Sequence, residues 1–230
     1  MAIQPQIKDK NPTGSKIPTP FRVEDWDLLD YESALNRQLE RVEQRREEKI
    51  PDTLAFTEHP PVFTLGVRKG AESHLIWPEE ELKRKSIQLF KTRRGGDITF
   101  HGPGQIVGYS FVALAGERRD LHRYLRVLEE TVIRALSHFG LEGGRREGMT
   151  GVWIDKRKVC AIGVGVKHWI TYHGFALNIN TDLSFFNGIV PCGISDGTVT
   201  TLAKESGKEI DTEYVKEILV SEFCNLFYDV

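Results

Sequence analysis

The chain has 230 residues, 40% of them hydrophobic and 28% charged, with a formal net charge of −2 at pH 7. That length suits one sizeable α/β domain with its own core, and the near-neutral balance leaves no electrostatic footprint for nucleic acid or an anionic membrane. No apolar run approaches the ~20 residues that span a bilayer, and three cysteines without a C-x-x-C pair argue against a disulfide framework and for a reducing, cytoplasmic compartment.

In chain order, residues 1–20 are rich in Pro, Lys, Thr and Asn, lack the apolar stretch of a secretory signal, and read as a flexible or extended tail. Asp30 then stands as the cap of an amphipathic helix whose inner face is Tyr31, Leu35, Leu39 and Val42. Residues 53–57 and 62–65 read as short strands on either side of Glu58-His59-Pro60-Pro61, and Pro78 followed by three glutamates starts a brief helix. Strands are expected over 87–91, 97–100 and 106–114, separated by glycine-rich turns. Asp120 caps a long helix with Leu121, Tyr124, Leu125, Leu128, Val132, Leu136 and Phe139 inside, and Gly140 is placed to end it. A second block of strands follows over 152–154, 158–166 and 170–179, and the last helix spans 212–227 with Val215, Ile218, Leu219 and Leu226 on one side. Strands come in clusters instead of alternating with helices, so the fold class is α/β with a mixed β-sheet flanked by helices.

Four segments carry the polar chemistry. In Pro191-Cys192-Gly193 the proline fixes its own φ and the glycine lacks a Cβ, so one thiol is presented on a tight turn with room for a substrate to reach the sulfur; the alternative is a small buried thiol. Arg94-Gly95-Gly96-Asp97-Ile98-Thr99-Phe100-His101-Gly102-Pro103-Gly104-Gln105 permits close backbone approach to a ligand but matches no phosphate-loop pattern. In Arg157-Lys158-Val159-Cys160-Ala161-Ile162-Gly163 the basic residues suit a solvated turn, yet Lys158 begins the strand, and period-two alternation points it inward with Cys160 and Ile162. In His173-Gly174-Phe175-Ala176-Leu177-Asn178 the histidine reads as a core or edge residue, and Asn178 and Asn180 as serving the following turn. Histidines 59, 101 and 173 lack metal-site spacing, so no metal is expected. Cys224, near the last helix, reads as core.

With Glu58-His59-Pro60-Pro61-Val62-Phe63-Thr64, these segments in this order resemble the lipoyl(octanoyl) transferase family. The resemblance implies a catalytic domain over 21–230 with the fold of biotin and lipoate protein ligases. It implies transfer of an octanoyl group from octanoyl-acyl carrier protein to a lysine of lipoyl domains, with lipoyl-acyl carrier protein also accepted. The acceptors so implied are 2-oxoacid dehydrogenase E2 subunits and the glycine cleavage H protein. It places the nucleophile, carrier of an acyl-thioester, on Cys192, and on Lys158 the group that lowers the thiol's pKa and acts as general acid and base. Acyl binding falls on Arg94, Gly95, Gly96, Asp97, Ile98, Thr99, Phe100, His101, Ala161, Ile162, Gly163, Gly174, Phe175 and Ala176. The donor is already a thioester, so neither ATP nor a metal is implied, and nucleic acid and membrane are not expected partners.

Overall fold

The computed structural model describes residues 21–190 and 198–228; the expected tail and Cys192 lie outside the described residues. In chain order the elements are β1 (Phe21–Leu28), α1 (Tyr31–Arg46), β2 (Asp52–Glu58), β3 (Val62–Leu65), α2 (Glu79–Arg84), β4 (Gln88–Lys91), β5 (Thr99–His101), β6 (Gln105–Phe111), α3 (Leu121–Ser137), β7 (Gly144–Arg146), β8 (Met149–Ile154), β9 (Arg157–Lys167), β10 (Ile170–Asn178), β11 (Thr198–Val199), α4 (Leu202–Ser206) and α5 (Thr212–Tyr228). The large sheet runs β1-β2-β6-β10-β9-β8-β7, with β11 added beside β9. Its β1–β2 and β9–β11 pairs are parallel and the others antiparallel, the mixed sheet that the clustered strands implied. A second sheet has the order β4-β3-β5.

One face of the large sheet is covered by α3 and α5. The Asp120 carboxylate caps α3 by accepting the N–H groups of His122 and Arg123, a contact whose loss costs about 1 kcal/mol. The helix then buries Tyr124, Leu128, Val132 and Leu136 together with Val215, Ile218, Leu219 and Phe223 of α5 against Val152, Cys160, Ile162 and Leu177 of the strands. Gly140 takes a left-handed φ of 70° just beyond the helix end, as its position implied. Cys224 is fully buried in this layer.

The opposite face is partly covered by α1, in which Tyr31 and Val42 are buried as expected but the rest of the stripe differs. Leu39 is 39% exposed, whereas Gln38 is fully buried with Ala34 and Val42. The reason is tertiary: the Gln38 Oε1 accepts the backbone N–H of His173 in β10, and that bond selects the helix face. Pro78 also differs slightly from expectation, standing as the cap of α2 and not in its first turn.

The β8–β9 ladder holds one irregularity that matters for the site. Val152 pairs with Cys160, but the next residue, Trp153, pairs with Lys158, so Val159 is an extra residue. This is a β-bulge, and it reverses the alternation of side chains beyond it. Val159 and Cys160 both enter the core beneath α3 and α5.

Candidate active site

A cavity of about 430 Å³ opens along β9 and β10, and some of its lining, such as Ile162 and Phe175, also packs in that core. Its lining brings together Lys158, Arg94, Gly95, Gly96, Asp97, Ile98, Thr99, His101, Ala161, Ile162, Gly163, Gly174, Phe175 and Ala176, residues that stand far apart in the chain. Phe100 is not part of the lining. Its ring turns into the core of the smaller sheet, stacked on Phe185 at 4.8 Å and edge-on to Phe186, because β5 alternates and sends it away from the cavity.

The wall formed by residues 94–98 is a loop held by its own side chains. Arg94 is buried, and its guanidinium donates to the carbonyl oxygens of Thr64 at 2.6 Å, Asp97 at 2.7 Å and Gly95 at 3.0 Å. Asp97 accepts the N–H of Ile98 at 2.7 Å and contacts His74 at 2.8 Å and Arg68 at 3.3 Å. The loop meets the sheet where the N–H of Gly95 donates to Val164 O at 2.9 Å. This approach needs a bare strand: a Cβ on Gly163 would lie 2.5 Å from Gly95 O. Likewise, a Cβ on Gly174 would overlap the carbonyl of Gly108 in the neighbouring strand.

Behind this wall lies a polar chain. The Thr64 hydroxyl accepts from Arg94 and donates to Nε2 of His101, whose Nδ1–H donates to Gln105 Oε1 at 2.8 Å. The Gln105 amide donates to Asn178 Oδ1 at 2.8 Å, and the Asn178 amide to Thr200 O at 3.0 Å. Asn178 therefore spans to two distant segments instead of closing the turn after its own strand. His59 donates from Nδ1 to Leu29 O and so accepts at Nε2 from the Tyr109 hydroxyl, both at 2.6 Å. Burial lowers the pKa of His59 to about 4 and that of His173 to about 3, the latter helped by the Arg94 charge. It takes His101 well below its ordinary value, assisted by His59 and Arg94. All three rings are neutral at physiological pH.

Lys158 is buried at 7% exposure. Alternation alone would have put it with Cys160 and Ile162; the bulge at Val159 turns it to the cavity face with Ala161 and Gly163. Its Nζ donates to Thr150 O at 3.2 Å and lies 4.9 Å from the centre of the Trp153 ring. Gly151 makes room for it, since a Cβ there would lie 2.7 Å from Lys158 Cε. The neighbouring Arg157 turns outward to Glu205 at 2.7 Å. Parallel pairing sets Val199 beside Lys158, and Thr200 N–H donates to Lys158 O at 2.9 Å. Cys160 and Cys224 are buried thiols, each pushed up to about 12 by burial, with the Lys158 charge opposing that rise at Cys160. Among the described residues no group of His, Cys, Asp and Glu is arranged to hold a metal ion.

Sequence reasoning missed Thr64, Tyr31, Tyr109 and Thr150. The first three contribute to the polar chain or the cavity wall from β3, α1 and β6, and Thr150 acts through its carbonyl, which no side-chain pattern reports.

The model of the lipoyl protein ligase A/B catalytic domain matches residues 30–224. The chain belongs to that family. It is 50% identical over 203 residues to the octanoyltransferase of Rubrobacter xylanophilus, covering 88% of this chain and 91% of that one. It is 43% identical over 210 residues to the octanoyltransferase of Flavobacterium psychrophilum, covering 88% and 90%. In fold it is similar to a lipoate-protein ligase A bound with ATP, with a TM-score of 0.69 at 14% identity over 90% of this chain and 85% of that one. A biotin protein ligase from Aquifex aeolicus follows with a TM-score of 0.51 at 13% identity, covering 90% and 69%. This member of the family is an acyltransferase that moves octanoyl groups in protein lipoylation.

Proposed function

We propose that octanoyl transfer proceeds through an acyl-thioester on Cys192, with octanoyl-acyl carrier protein as donor, a lipoyl-domain lysine as acceptor, and no ATP or metal. The observation that carries this reading is Lys158, a buried amine brought onto the wall of the cavity by the bulge. Support comes from the other thiols: Cys160 and Cys224 are held near 12 by burial and are not thiolates at neutral pH. Cys192 stands six residues before Thr198 in the sequence, and Thr198 and Val199 pair with Arg157 and Lys158.

The neutral amine of Lys158 takes the Cys192 proton to give a thiolate–ammonium pair, and the thiolate attacks the donor's carbonyl carbon. As the tetrahedral adduct collapses, the bond to the carrier's sulfur breaks, and the Lys158 ammonium returns a proton to that sulfur. The octanoyl chain then lies along Ala161, Gly163, Gly174 and Ala176, where small residues leave room for methylenes against the sheet. Residues 94–98 close the cavity from the other side. In the second half, the acceptor amine attacks the Cys192 thioester, Lys158 receives the amine's proton, and Cys192 leaves as a thiol once that proton is returned. The equilibrium favours product because an amide is more stable than a thioester.

The test is to mix the chain with octanoyl-acyl carrier protein, without ATP, quench in acid, and locate the acyl group by peptide mass. Octanoyl on the Cys192 peptide, released to a lipoyl domain in a chase, is the expected result. Cys192→Ser should abolish the adduct and Lys158→Met should slow its formation on the order of 10²-fold or more. A need for ATP, or rapid release of free octanoate with no acceptor present, would replace the reading with a ligase or a hydrolase.

A further inference from the structure

We infer that Glu129 is a positioning residue for the Lys158 ammonium, acting through the peptide that joins Thr150 to Gly151. This rests on the reading of Lys158 given above.

Glu129 lies in the middle of α3 with its side chain 1% exposed, on a face that is otherwise mostly apolar. A carboxylate in such a place is costly unless every oxygen is bonded. One oxygen, Oε2, takes Arg126 Nη1 at 2.6 Å and Arg145 Nε at 3.0 Å. Among the described residues the other, Oε1, takes one main-chain donor, the N–H of Gly151 at 3.1 Å.

That N–H belongs to the same peptide plane as the Thr150 carbonyl, and the Thr150 carbonyl accepts from Lys158 Nζ. In a trans peptide the N–H and C=O point in opposite directions, so the plane links Glu129 on one side to Lys158 on the other. Gly151 has φ 140°, a conformation open to glycine, and glycine is where such a plane rotates most easily. The absence of a Cβ at Gly151 is required, since one would lie 2.7 Å from both Lys158 Cε and Cys160 O. The groove that admits the lysine is thus also the point at which its hydrogen-bond acceptor is least restrained by its own backbone. Glu129 supplies the restraint from the neighbouring helix. The charged and titratable groups gathered here are Glu129, Arg126 and Arg145 around the carboxylate, and Cys160 beside Lys158 on β9, whose thiol feels both the Lys158 and the Glu129 charges.

The experiment compares Glu129→Gln with Glu129→Met in the full chain. Glutamine keeps an oxygen for the Gly151 N–H, and methionine keeps the volume without an acceptor. Single-turnover acylation by octanoyl-acyl carrier protein is followed, with the donor KM and a melting curve for each variant. The expected result is that Glu129→Met acylates on the order of 10²-fold more slowly at unchanged donor KM, while Glu129→Gln stays within about threefold of the parent. A methionine variant as fast as the parent, or equal losses in the two variants, overturns the inference. Should Glu129→Met fail to fold, Arg145→Gln decides: releasing the outer oxygen is expected to slow acylation about tenfold, and an unchanged rate overturns the inference. Lys158→Met is run beside them. If it acylates normally, the reading of Lys158 falls; if it is slow while the Glu129 variants are fast, only the positioning role falls.

Discussion

Replacing Gly163 with alanine tests how tightly the 94–98 loop must lie on the sheet. The new Cβ would stand 2.5 Å from the carbonyl oxygen of Gly95, and real Cβ contacts under 3.0 Å are essentially never seen, so the two backbones must part by at least 0.5 Å. Neither partner is a flexible side chain. The separation falls on the Gly95 N–H···O Val164 bond, now 2.9 Å, and stretches it toward failure. Losing that bond costs about 1 kcal/mol and the overpacking about as much again, together about 2 kcal/mol, or about 4–8 °C in Tm for a chain of this size. Because the same loop walls the cavity proposed to hold the acyl chain, a half-ångström displacement is expected to slow acylation about tenfold, given that a 1 Å misplacement costs about 10²-fold. Differential scanning fluorimetry and single-turnover acylation with octanoyl-acyl carrier protein measure the two effects. A variant with parental Tm and parental acylation rate would show that the loop is not pinned at this contact, and the account of the cavity wall would fail.

Gly151→Ala is expected to displace the Lys158 side chain directly, with acylation falling on the order of 10²-fold and the melting temperature dropping by several degrees; parental kinetics would refute the groove. Iodoacetamide at pH 7.5 should alkylate Cys192 in the folded chain and spare Cys160 and Cys224, whose thiols burial holds near 12; peptide mapping that finds Cys160 labelled at a comparable rate would contradict this. Stability should fall on acidification. His59 and His173 have folded values of about 4 and 3 against an ordinary 6.5, so the unfolded chain binds their protons first and the stability present above pH 6.5 is lost as pH falls toward the folded values. At pH 5 each histidine accounts for about 2 kcal/mol of that loss, readable as a falling urea midpoint, and a midpoint flat between pH 7 and 5 would rule the effect out.

The long periodic elements were legible because local pattern and tertiary role agree in them. Asp120, the Tyr124–Leu128–Val132 stripe and Gly140 announce α3, and each does in the fold what its chemistry implies. Strand β1 was not legible. Glu24-Asp25 breaks the alternation of charged and apolar residues, only Trp26 is buried, and the strand's place at the edge of the sheet asks little of the rest. Strand β7 and helix α4 are too short for a period to show. The stripe of α1 was read correctly at Tyr31 and Val42 and missed at its centre, because a buried glutamine outranks two leucines once a backbone N–H across the interface needs an acceptor. The cavity residues were legible through the resemblance, but not the reason Lys158 faces them, since a bulge is a property of two paired strands and has no signature in one of them. Thr64 and Thr150 escaped for a related cause. What they contribute is a hydroxyl relay and a carbonyl, whose worth depends entirely on what stands opposite.

The extra residue at position 159 makes the reading frame of a single strand decide which face of the sheet Lys158 occupies. Taking Val159 into the ladder opposite Trp153 would give a regular strand with the sequence unchanged. It would also swing the amine of Lys158 through the sheet into hydrocarbon beneath two helices and bring Val159 to the cavity side, whereas deleting Val159 would set Lys158 next to Cys160 and leave it on the cavity face. Any redesign that idealises this sheet must therefore either keep the kink or remove Val159 with it, if Lys158 is to stay on the cavity wall.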